Sequence, residues 1–197
     1  MERFLPKFNL YEQLAHLMVG AETILSLELI WFVYQNNFIS LNISIFIWIL
    51  LAYFTGHFIQ AVYSIFFKEN KSNFTDSERT ILAKARKLFS VKSFSDGEIY
   101  KLCYMSSLAN DITNHVGLFN AYYSLFRGWF ISGLIFSMVS IVLLIITNNL
   151  MFILLMTGFA VFSVVFFKRK NRFFIYSKEK TLQTFLINLN NKTKSKT

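Results

Sequence analysis

Tyr53, His57, Gln60 and Ser64 recur at steps of four, three and four within the stretch YFTGHFIQAVYS. On a helix that spacing puts a phenol, an imidazole, an amide and a hydroxyl on one face. Their neighbours are Leu, Ile, Phe and Trp, as are those of Glu22 and Glu28 in an earlier apolar run that also holds His16. A carboxyl group beside an imidazole has the makings of an acid and base pair. No Ser or Cys nucleophile is clearly placed beside such a pair, and no second His stands at ligand spacing on the helix of His57. The expectation is therefore no enzyme, no cofactor and no metal. Asp111 and His115 lie four apart, which suits a salt bridge or half a metal site, and a solvated helix face is the simpler reading. The single cysteine, Cys103, excludes an internal disulfide and reads as a small buried apolar residue. Gly-rich phosphate loops and nucleophile elbows are absent from the sequence.

The elements that must position these groups are membrane helices. The 197 residues are 54% hydrophobic, and their apolar residues gather into four runs, 14–35, 41–67, 128–147 and 150–167. Each approaches or exceeds the roughly 20 residues that a bilayer core of about 30 Å demands. Glu22 and Glu28 interrupt the first run and no small-residue cleavage site follows it, so it is expected to stay as a helix and not to be removed as a signal. The fold class expected is an all-α integral membrane protein. Four transmembrane helices form two hairpins, with a helical cytoplasmic insert between helices two and three.

Charge gives an orientation. Of the net +9, the segment 68–127 carries nine Lys or Arg against six acids, and the tail from Lys168 carries nine against Glu179 alone. The turns at 36–40 and 147–149 carry no charge. Positive flanks stay in the cytoplasm, so both termini are placed there, in a multi-pass protein of the inner membrane. The domains expected are a hairpin with a polar stripe (1–67), a basic helical insert (68–127), a second hairpin (128–167) and a basic amphipathic tail (168–197).

Helix starts are written into the insert. TDSE at 75–78 and SDGE at 95–98 both have capping-box spacing, as does NLYE at 9–12. Leu102, Met105, Ala109, Ile112, Val116, Phe119, Tyr123, Phe126 and Phe130 alternate steps of three and four, a heptad seam. It predicts a nearly continuous helix of about 50 residues from the insert into helix three, roughly 75 Å long. The seam packs against the helix at 76–90 or against a second copy. The tail predicts a separate amphipathic element through Phe173, Tyr176, Leu182, Phe185 and Leu189.

With the first turn near residue 38, Gly20 and Gly56 fall at one depth, where two glycines permit close backbone approach. Glu22 then comes within a helical turn of Tyr53 and His57. In the second hairpin, Gly133 and Ser137 face other small residues and read as packing scaffold. Two readings of the polar groups stand side by side. In one, they are an interhelical hydrogen-bond clamp; in the other, Glu22, Glu28, His57, Gln60 and Tyr53 line a polar path shared between subunits. A charge at membrane depth costs about 2.5 to 3.5 kcal/mol on insertion scales, so neither glutamate is expected to face lipid. Arg79, Lys84, Arg86, Lys87, Arg127, Lys168, Arg169 and Lys170 form basic patches suited to anionic lipid headgroups or to a nucleotide or oligonucleotide regulator.

NLYE at 9–12, Gly20, GHFIQ at 56–60 and the Arg127-Gly128-Trp129 junction, taken with the four-helix layout, resemble the small membrane proteins of bacterial antiphage defence operons. The Hailong-type channel effectors are the family meant. That resemblance implies an oligomeric channel held shut by the product of a partner nucleotidyltransferase and opened on infection. The function expected is a homo-oligomeric membrane effector that forms or gates an ion-conducting path under a cytoplasmic signal. The alternatives are an anchor or scaffold for a soluble partner enzyme, or a small transporter.

Overall fold

A computed structural model describes residues 10–37, 44–67, 73–91, 93–111 and 114–194. Six helices account for nearly all of them: α1 (Leu10–Gln35), α2 (Ile45–Phe66), α3 (Asp76–Leu88), α4 (Asp96–Asn110), α5 (His115–Thr147) and α6 (Met151–Lys194). No strand occurs among the described residues. Four helices are long and apolar enough to cross a membrane: α1, α2, α5 and the 151–190 part of α6. The chain divides into two compact units. One holds α1, α2, α5 from Ala121 and α6 up to Arg172; the other holds α3, α4, the start of α5 and α6 from Phe173.

In the first unit, α1 and α2 run against each other with backbones touching. A methyl group on Gly20 would overlap the Ala52 carbonyl, and one on Gly56 would overlap the His16 carbonyl. Without a hydrophobic drive between helices in lipid, this close approach is what dispersion contacts need. Helices α5 and α6 are also antiparallel. Ser163 Oγ donates to the Phe130 carbonyl at 3.0 Å and Ser137 Oγ to the Met156 carbonyl at 3.3 Å, while Gly133 sits against Phe162 and Ser163. Val19, Ile59, Tyr63, Phe130 and Ile131 form one buried cluster, and Ile30, Phe136 and Phe152 form a second.

The second unit is a small helical core. Both capping boxes are made: Thr75 with Glu78 opens α3, and Ser95 with Glu98 opens α4. Leu82 and Ala85 of α3, Ile99 and Cys103 of α4, and Leu182 and Phe185 of α6 pack together with Phe74. Ser107 Oγ donates to the Thr181 carbonyl at 2.8 Å, and Lys178 Nζ lies 3.2 Å from Glu78 and 2.6 Å from the Asn73 carbonyl. Burial pushes the Cys103 thiol up to about 12 and raises the Tyr100 phenol.

Several expectations fail here. The 50-residue helix is broken: α4 ends at Asn110, Asn114 takes φ 55°, and the Asp111 carboxylate accepts from the Val116 amide at 2.7 Å to start α5 anew. Asp111 is thereby a buried cap and no part of a solvated face with His115. The seam loses its phase at that break, so Met105 and Ala109 are exposed while α4 buries Ile99, Cys103 and Ser107 instead. The tail is not a separate element either. No Pro or Gly lies between Phe159 and Lys194, and α6 runs unbroken for 44 residues, about 66 Å. The capping box at 9–12 starts outside the described residues.

Candidate functional site: a polar track inside the four-helix unit

Polar side chains enter the bundle at several levels of α1, from Gln13 to Ser26, a rise of about 20 Å at 1.5 Å per residue. At the first level the Tyr53 hydroxyl donates to Gln13 Oε1. One turn on, the His16 and His57 rings stack with centroids 4.0 Å apart and planes 21° apart, and the Tyr53 ring meets His57 edge-on at 4.5 Å. The glycine crossing explains the closeness: Gly56, next to His57, rests on the carbonyl of His16.

Gln60 is buried and ties α2 to α5. Its Nε2 donates to the Ser124 carbonyl at 2.6 Å, and its Oε1 accepts from Arg127 Nε, also at 2.6 Å. The Arg127 guanidinium lies over the Tyr63 ring, 4.9 Å from its centroid, and Lys170 Nζ from α6 donates to the Tyr63 hydroxyl at 2.9 Å. Gly128 leaves room for this meeting, since a side chain there would strike Val19 and come within 2.9 Å of Gln60 Nε2. Ser64 completes the stripe in sequence only: it is exposed and bonds the Ala61 carbonyl of its own helix.

Towards the other end of α1, Ser26 Oγ donates to Glu22 Oε1 at 2.8 Å. Thr23 Oγ1 donates to the Val19 carbonyl at 2.8 Å and reaches Ser132 Oγ of α5 at 3.5 Å. The expected meeting of Glu22 with His57 does not form. Six residues separate Glu22 from His16, about 240° around a helix at 3.6 residues per turn, so the face that holds the imidazoles points away from the carboxylate. Glu28 is half-buried and makes no hydrogen bond or ion pair among the described residues. It is not among the α1 residues buried in the bundle, which are Ala15, His16, Val19, Gly20, Thr23, Ser26 and Ile30.

The basic residues scatter. Lys84 and Lys87 are exposed on α3, Arg79 bonds the Phe74 carbonyl at 3.3 Å, and Arg86 is paired with Asp96 at 2.8 Å. Lys168 and Arg169 are exposed on α6, with the Arg169 guanidinium 5.7 Å from the Phe126 ring. Arg127 and Lys170 instead turn inward onto Gln60 and Tyr63, which takes them out of any outward anionic patch.

Gln13 and Ser132 carry no signal of their own in the sequence. Tyr63 stands three residues beyond Gln60, at stripe spacing, but the sequence pattern gives that place to the neighbouring Ser64. Matching depths from a turn at 38 would put His16 level with Gln60; it stacks one turn away, on His57. No family model, no curated protein and no solved structure matches the chain.

Proposed function

We propose that this is a homo-oligomeric integral membrane protein that forms or gates an ion-conducting path, with the α1 face carrying Glu28 turned towards the neighbouring copies. The observation that carries the reading is Glu28. It is an ionisable side chain in a membrane-length helix, partly exposed and without a hydrogen-bond or ion-pair partner among the described residues. Leaving a charge in hydrocarbon costs about 2.5 to 3.5 kcal/mol, and facing other copies around a wet axis removes that cost. Glu22 stands six residues from Glu28, about 240° around α1, and drops out of that lining. Tyr53, His57 and Gln60 drop out of the lining, because Gln13, His16, Ser124 and Arg127 of the same chain engage them.

In this reading α1 with α2 and α5 with α6 are transmembrane hairpins. The unit of α3, α4 and the end of α6 is cytoplasmic, and both termini lie on the cytoplasmic side of the inner membrane. Exposed Lys84, Lys87, Lys168 and Arg169 are the cations left for a nucleotide, an oligonucleotide or lipid headgroups. Defence against phage, with a partner nucleotidyltransferase supplying the signal, rests on the resemblance of the short motifs alone.

Purified protein in liposomes loaded with a potassium-sensitive dye tests the path. The expected outcome is flux that Glu28→Gln changes by about tenfold or more, equivalent to about 1.4 kcal/mol. Vesicles as tight as protein-free ones, under every voltage and nucleotide tried, would sink the reading. They would favour an anchor for a soluble partner, which the internal satisfaction of the α2 stripe already fits.

A further inference from the structure

A shallow groove of about 360 Å³ lies on the side of α1 that carries Glu22. Met18 and Leu25 of α1 and Phe159 and Phe162 of α6 make its apolar walls, and Glu22, Ser26 and Trp129 supply its polar groups. Two of those polar atoms, Glu22 Oε2 and Trp129 Nε1, are buried with no hydrogen-bond partner. Native proteins leave few such atoms unpaired, and lipid offers no water to pair them. Ser26 takes the other carboxyl oxygen, Oε1, and the Ser132 hydroxyl of α5 also bears on this carboxyl without closing a hydrogen bond to Oε2.

The chemistry of the missing partner follows from the two atoms. An indole N–H only donates, and a carboxylate oxygen accepts. A hydroxyl is the smallest group that answers both. Glu22 stands twelve residues into α1, about 18 Å along its axis, which is too deep for a phosphate headgroup anchored at the interface. The volume falls at the lower end of small-molecule sites, about 300 to 1,000 Å³, and is too small for a helix. The apolar rim shields both polar atoms, so the Glu22 carboxyl has to turn to meet an incoming group.

We infer that this groove binds a membrane-dissolved lipophile bearing a single hydroxyl, held by Glu22 and Trp129 with its apolar body against Met18, Leu25, Phe159 and Phe162. The inference needs only that α1 crosses the bilayer; it does not rest on ion conduction.

Replacing Trp31 and Trp48 by Phe leaves Trp129 as the sole indole, since the chain has three Trp. In lipid nanodiscs, Trp129 fluorescence is titrated with a brominated dodecanol and, separately, with a brominated dodecane. Saturable quenching by the alcohol, half-complete at a mole fraction about tenfold lower than for the alkane, is expected, one hydrogen-bonded group being worth about 1.4 kcal/mol. Glu22→Ala is expected to bring the alcohol curve onto the alkane curve, while Glu22→Gln, which keeps an acceptor oxygen, preserves a separation. Coincident alcohol and alkane curves in the Glu22-containing protein overturn the inference. So does quenching that appears only in discs holding one copy, which would mean that a second copy of the chain covers the groove.

Discussion

His16 and His57 stack face to face at 4.0 Å where α1 crosses α2, one residue from a glycine that touches the opposing backbone. Backbone contact fixes the ring separation, so the two imidazoles move apart only if the crossing itself opens. Aromatic pairs of this kind contribute about 0.5 to 1.5 kcal/mol beyond their buried area. A double-mutant cycle of His16→Ala and His57→Ala, read by reversible unfolding in bicelles, should therefore give a coupling energy in that range. His57→Phe should retain most of the stability. A coupling within error of zero would mean that the rings are neighbours without interaction.

The glycines make a sharper contrast. Gly20→Ala and Gly56→Ala each push a methyl group into a carbonyl of the facing helix, whereas a methyl group on Gly158 meets nothing within 4 Å. Overpacking typically costs about 1 to 3 kcal/mol, and backbone does not yield as a flexible side chain does. Both crossing variants should lose at least about 2 kcal/mol in the same unfolding assay, with Gly158→Ala close to neutral. Equal stability of all three would show that the helices do not touch at this point.

Properties carried by a residue's own segment were legible in the sequence; properties that depend on helix rotation were not. Apolar length marked the four long helices, and Thr75 with Glu78 and Ser95 with Glu98 spelled both capping boxes, because a cap is a contact within four residues. The heptad seam misled. Period alone does not reveal that Asp111 caps a new helix or that Asn114 adopts a left-handed conformation, and those two residues ended a helix that no Pro or Gly would have ended. On α2, Tyr53, His57 and Gln60 turn into the bundle and Ser64 does not, and the partner expected on α1 was Glu22 where the structure has His16. Depth matching places Glu22 near His57 in height and says nothing of the turn about the axis that gives His57 to His16. Gln60 with Arg127 lay further out of reach, since it joins residues 67 apart whose helices share no loop.

Cys103 should be silent to thiol reagents in the folded protein. It is fully buried, and burial pushes its thiol from about 9 up to about 12, so almost no thiolate exists at neutral pH. Maleimide labelling at pH 8 should proceed only in denaturant. The sign of the linkage follows: the unfolded chain gives up this proton first, so stability is unaffected below pH about 9 and falls as pH rises from there to about 12. Rapid labelling of native protein would show that the α3, α4 and α6 core opens readily.

At acid pH the capping box of α4 should respond in the opposite direction. The Ser95 hydroxyl and amide both bond the Glu98 carboxylate, at 2.7 and 2.8 Å, and hold it below the usual carboxylate range. A carboxylate depressed in the folded state stabilises above its unfolded value, 4.5, and that contribution disappears as pH falls through the lower folded value. Helix α4 should therefore fray on acidification below about pH 4.5 in the native protein, and Glu98→Gln should remove that part of the pH dependence. Amide hydrogen exchange at the first turn of α4, compared between the two proteins across this range, reads the effect directly. Thr75→Ala offers the matching test on α3, where loss of an N-cap typically costs about 1 kcal/mol. Exchange at α4 that is indifferent both to acid and to Glu98→Gln would mean that packing of Ile99 and Cys103, rather than the cap, holds the helix start in place.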